Sequence, residues 1–136
     1  MEHPTNLDEL AAAYFAHYRL LTLSHDRYAA ASDEYLWAWD TVEKLVTHDA
    51  EQAWLLVLRL VAAAPDENAL AYVTAGPIEN FLRLHAEAFA PAIISEAGRN
   101  PALRTALTGA ITPEGPAGDA IRAASLSPRA AKRRAR

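Results

Sequence analysis

The chain has 136 residues, 51% of them apolar and 22% charged, and it contains no cysteine. That balance belongs to a globular domain and excludes disordered, collagen-like and disulfide-framed classes, along with thiolate metal sites and redox pairs. Alanine supplies 31 residues and leucine 17, against ten for valine and isoleucine together, which argues for helices and against a sheet of any size.

Charge is unevenly placed. All 17 acidic residues lie at or before Asp119, while residues 1–128 hold eight of the 13 basic ones, so this stretch carries −9. Arg129, Lys132, Arg133, Arg134 and Arg136 crowd into the last eight residues. An acidic body does not suit a fold whose face grips nucleic acid. The basic cluster alone is placed to touch phosphates; otherwise it stays solvated or folds back over the acidic surface. The longest apolar stretch, Ala53 to Ala64, spans 12 residues and contains Arg59. A membrane crossing needs about 20, so no membrane association is expected. Met1-Glu2-His3-Pro4 carries acid where a secretory signal carries base. With the absent cysteine, this makes a reducing cytoplasm the expected compartment.

In chain order, Asn6-x-x-Glu9 reads as a capping box that opens a helix. Leu7, Leu10, Ala11, Tyr14, Tyr18 and Leu21 form its apolar stripe, and Ser24-His25-Asp26 ends or turns it. Arg27 to Ala31 is ambiguous. Ser32 can cap a second helix, with Asp33 and Glu34 in its first turn and Tyr35, Trp39, Val42 and Val46 on its buried side. Asp49-x-x-Gln52 caps the third. From Ala53 to Ala64 that helix is apolar nearly all round, which predicts a central element touched from several sides; Pro65 stops it.

Asp66 caps a short helix with Leu70 and Val73 inward, and Ala75-Gly76-Pro77 predicts its end, with Gly76 left-handed and Pro77 opening the next. Ile78, Phe81, Leu82 and His85 share one face of that next helix. Ala90-Pro91 begins or kinks another, Gly98 ends it, and Asn100-Pro101 opens a last one that carries Leu103, Ala106 and Leu107. Pro113, Gly115, Pro116, Gly118 and Pro128 break the remainder. The expectation is one all-α domain over residues 1–111, a compact bundle of six or seven short antiparallel helices or a stack of helical hairpins. A flexible Pro/Gly-containing tail over 112–136 follows, with at most a transient turn from Asp119 to Ala124.

Few residues are arranged for chemistry. The histidines (His3, His17, His25, His48, His85) make no metal-ligand spacing, and the serines (Ser24, Ser32, Ser95, Ser125, Ser127) sit in no nucleophile elbow. No dinucleotide or phosphate loop appears, so no catalytic residue, metal or cofactor is assigned. Two places stand out. Around Gly76, Glu79 and His85, free N–H groups at a helix start could hold an anion, although Glu79 would compete for them and a tight helix corner explains the same residues. Glu79 and His85 are six residues apart, about 600° of helix, and do not share a face. The second is the Trp37/Trp39 pair, about 200° apart, which cannot both face one core. Trp37 is either a surface anchor beside Asp33, Asp40 and Glu43, or it packs beneath a neighbouring element.

From about Trp37 to Ala110 the chain resembles a family of small bacterial domains of unknown function. The likeness rests on Trp39, Val42, Ala53, Trp54, Asn100, Pro101 and Gly109, and above all on Ala75-Gly76-Pro77-Ile78-Glu79 with His85 six residues on. Ala110-Ile111-Thr112 stands where the family pattern has an aromatic. The resemblance implies an all-helical protein, carries over no activity, and raises Glu79 and His85 as site candidates.

Three functional readings follow. The first is a non-enzymatic interaction domain whose acidic, aromatic-bearing helical surface binds a protein partner, in an immunity- or antitoxin-like role. The second is a small enzyme or ligand-binding domain with a pocket near Gly76, Glu79 and His85. The third is accessory contact with nucleic acid through the basic cluster.

Overall fold

In a computed structural model of the chain, residues 6–22 and 25–126 are described, the side chains of the second stretch from Glu34 onward. Among the described residues there is no strand; seven α-helices and one π-helical turn account for the secondary structure. The chain divides into two compact units, Met1–Ala69 and Leu70–Arg136, rather than at the 111/112 boundary that composition suggested.

The first unit holds α1 (Leu7–Leu21), α2 (His25–His48) and α3 (Ala50–Ala63), each packed against the other two. Asn6 caps α1, its side-chain oxygen accepting from the amides of Asp8 (2.7 Å) and Glu9 (3.3 Å). Asp49 caps α3 through the amide of Gln52 (3.1 Å). Each takes up donors that a helix start leaves unpaired. Ser32, by contrast, is no cap: α2 begins at His25 and runs straight through it. The ambiguous stretch Arg27–Ala31 ends in three alanines and contains no breaker, so the ladder continues.

The core of this unit is Leu10, Ala11, Tyr14 and Phe15 of α1, Ala38, Val42 and Val46 of α2, and Ala53, Leu56, Val57, Leu60 and Val61 of α3. Two expectations change. The buried stripe of α2 is centred on Ala38, Val42 and Val46, four residues apart, and Trp39 lies to its flank, 38% exposed. On α3 one face is buried, while Leu55, Ala62 and Ala63 face solvent and Trp54 is half-buried. The all-round apolarity of α3 is therefore not all-round burial; alanine is there for helix propensity, and isolated surface leucines are common.

The second unit begins within α4 (Glu67–Val73), whose first turn is capped by Asp66 through the amide of Ala69 (2.8 Å). The break expected at Ala75-Gly76-Pro77 is absent. Helical dihedrals persist from Val73 (φ −63°) to Ile78 (φ −67°) and Glu79 (φ −62°). The chain passes the proline in a π-helical turn, Thr74–Ile78, and enters α5 (Glu79–Ala97) without stopping. Gly76 is not left-handed. Proline has no N–H to give to an α-ladder and crowds the carbonyl four residues back; the wider π ring relieves both. Pro91 likewise lies inside α5 and neither ends nor restarts it. The next helix, α6 (Pro101–Thr108), has the cap-then-proline start its sequence predicts, with Asn100 accepting from the amide of Leu103 (3.0 Å).

The expected tail is corrected over residues 112–126. Pro116–Leu126 is a helix, α7, packed against α5 and α6, and its Ile121 is fully buried. The supposed breakers each have a place in its start. Gly115 takes φ +114°, a conformation side chains disfavour, and its carbonyl accepts the first helical bond from Asp119 (3.0 Å). Pro116 occupies the first helical position, where a missing N–H costs nothing. Ile78, Phe81, Leu82, Ile93, Leu103, Leu107 and Ile121 supply the large side chains of this unit's core. Burial of each such side chain contributes about 1.5–3 kcal/mol.

Candidate functional site

In the first unit, α2 presents an outward face. Leu36, Trp39, Asp40 and Glu43 lie within an arc of about 100° on an α-helix. Leu36 (41%) and Trp39 are among the most exposed large apolar residues of the unit, and Asp40 is exposed beside them. Trp37, the residue singled out as a possible anchor, is half-buried, and its carbonyl accepts from the Thr41 hydroxyl (2.7 Å). Of the two tryptophans, Trp39 is the exposed one. The unit carries 12 acidic and four basic residues, −8, so most of the negative charge of the molecule lies here.

In the second unit, Glu79 sits at the start of α5 and reaches across to the segment after α6. Its Oε2 accepts from the amide of Ile111 (2.8 Å). Thr74 of the π-turn makes a parallel link, its hydroxyl donating to the carbonyl of Ala106 (3.2 Å). Arg122 of α7 donates to the hydroxyl of Thr112. Residues 111 and 112 are therefore held from two sides. Beside this tether lies a cleft of about 330 Å³ lined by Glu79, Asn80, Arg83, Ile111, Thr112 and Pro113.

Gly76, Glu79 and His85 do not converge. The amide of Glu79 donates to the carbonyls of Thr74 and Gly76 within the continuous helix, so the expected helix start with free N–H groups for an anion does not exist. His85 packs in a ring cluster, 5.1 Å from Phe81 and 6.4 Å from Phe89 between centroids, and is not among the residues lining the cleft. Asn80, Arg83 and Ile111 were not legible as site residues. The spacing of Glu79 and Arg83 was the available signal, but the partner segment 111–113 is set by tertiary contact. The basic cluster Arg129, Lys132, Arg133, Arg134 and Arg136 lies outside the described residues.

A further polar group is buried in the first unit. His17 of α1 is 5% exposed, and neither ring nitrogen has a hydrogen-bond partner. Burial depresses its pKa below the ordinary 6.5. Among the described residues, no group of three or more His, Asp or Glu side chains is placed to hold a metal. Among the described residues, no helix is long and apolar enough to cross a membrane.

Both units are helical, with no strand among the described residues; the second carries a cleft and the first an outward face that exposes Leu36 and Trp39. The chain belongs to a family of unknown function, DUF6869, whose pattern matches residues 25–121. That span includes the resemblance read from Trp37 to Ala110 and extends it through Ile121, the buried anchor of α7. No curated protein and no solved structure matches the chain.

Proposed function

We propose that this protein is an interaction module whose acidic first unit docks a basic protein partner on the outer face of α2. The observation that carries the reading is the exposure of Trp39 beside Leu36, with Asp40 and Glu43 on the same arc, in a unit of −8. A tryptophan on the surface is a large apolar area that a partner can remove from water, and tryptophan is enriched among binding hot spots. The surrounding acid steers a basic partner toward the face and repels acidic competitors. An immunity- or antitoxin-like role, neutralising a basic surface, has this form. The reading places the protein in a bacterial cytoplasm, where a cysteine-free chain is indifferent to reducing conditions.

The test is comparative retention from native lysate on immobilised protein, wild type against the Leu36→Ala/Trp39→Ala double variant. The wild type should retain a basic protein that elutes with salt, and the variant should lose it by about tenfold or more. Identical retention on both columns contradicts the reading.

A further inference from the structure

The cleft of the second unit has an electrostatic character of its own. Glu79 and Arg83 are four residues apart, with the acid N-terminal, the orientation that favours an ion pair on a helix surface. They do not pair. Glu79 turns one oxygen to the amide of Ile111, leaving Oε1 without a partner among the described residues. Arg83 is exposed and makes no hydrogen bond or ion pair among the described residues. Both line the same 330 Å³ cleft, with the Asn80 amide on their arc. The remaining wall is formed by Thr112, whose hydroxyl is engaged by Arg122, and by the apolar Pro113 and Ile111, the latter 77% exposed.

Arg83 also borders a second hollow of about 230 Å³, on the side of Glu87 and Glu114. Two free carboxylates disfavour an anion there. On the Glu79 side the single carboxylate is already accepting an N–H, and Asn80 offers donors. An anion held by Arg83 therefore sits in the first cleft. A purely anionic ligand would still face the charge of Glu79, and a purely cationic one the charge of Arg83. One fixed charge of each sign, beside an apolar wall, matches a ligand that carries one of each and an apolar body.

We propose that this cleft binds a small aliphatic amino acid. Its carboxylate is taken by the Arg83 guanidinium and the Asn80 amide, its ammonium by Oε1 of Glu79, and its side chain lies against Ile111 and Pro113. A guanidinium presents two parallel N–H donors to a carboxylate, and the cleft volume is at the small end of the range for ligand sites. This site is independent of the α2 face, so either can fail without the other.

The experiment is an NMR titration of the full chain with leucine, isovalerate and isopentylamine, each to about 10 mM, the range in which a small open site saturates. The amide of Ile111 reports directly, since it is the group that Glu79 holds. Leucine should shift the Ile111 and Thr112 amides and the Arg83 side chain saturably. The two singly charged analogues should bind about tenfold more weakly or not at all. Arg83→Gln should weaken leucine by about tenfold while leaving the melting temperature unchanged, because Arg83 holds nothing in the fold. Absence of a saturable shift, equal binding of leucine and isovalerate, or an unaffected Arg83→Gln variant would each overturn the assignment.

Discussion

Gly118 is a glycine because of a carbonyl. A Cβ built at this position would lie 1.8 Å from the backbone oxygen of Pro113, a contact no flexible side chain can relieve. Gly118→Ala must push α7 off the segment that precedes it, at a cost of about 1–3 kcal/mol from overpacking. Urea denaturation should show a lower midpoint by that margin, and an unchanged midpoint would mean the close approach is absent in solution. His17 makes a prediction of opposite character. Folded, it is buried and neutral; unfolded, it takes a proton near its ordinary value of 6.5. The unfolded chain therefore binds more protons as pH falls below 6.5, and the contribution of His17 to stability, complete above that value, is progressively lost. Denaturation midpoints at pH 7.5 and 5.5 should differ in that direction. His17→Leu should flatten the difference and raise stability at neutral pH, since it removes two unsatisfied polar atoms. An unaltered pH slope in the variant would show that other groups set it. His17 follows Tyr14 by three positions and so shares the buried face of α1, but a histidine does not mark an apolar stripe by its residue type.

At the scale of elements, local chemistry was the most legible. Asn6, Asp49, Asp66 and Asn100 cap helices as their spacings indicate, because a cap depends on three or four consecutive residues and little else. Glycine and proline misled in both directions. At Gly76-Pro77 they mark a π-turn inside a continuous helix, and at Gly115-Pro116 they start one. In each case the outcome depends on what the neighbouring turn packs against. Ile121 is fully buried on a helix that packs against α5 and α6, elements outside its own local sequence; this supplies the long-range reason α7 forms, and no local signal reports it. The same limit hid the cleft. Glu79 was visible as a candidate, but its partner is a backbone amide 32 residues away. Loss of that bond should be local: Glu79→Ala should raise hydrogen exchange at the Ile111 amide strongly and lower global stability by about 1 kcal/mol. Unchanged protection at Ile111 would remove Glu79 from the tether.

For the whole molecule, the decisive property is how charge and apolar exposure are distributed. The −9 read over residues 1–128 resolves into −8 for the first unit, and this is also the unit that exposes Trp39 and Leu36. Composition and periodicity were sufficient for the all-helical class, and the paired tryptophans for an aromatic outside the core. Which tryptophan faces outward follows from how α2 is rotated against α1 and α3, a matter of packing. Site-specific photo-crosslinking in the natural host tests the resulting account most directly, with a photoreactive residue placed at position 39 and, as control, at the slightly more exposed position 84. The account predicts one discrete adduct with a basic protein from position 39, none from position 84, and loss of the adduct when Asp40 and Glu43 are both changed to lysine. An adduct pattern that is the same from both positions, or that survives the charge reversal, would contradict it.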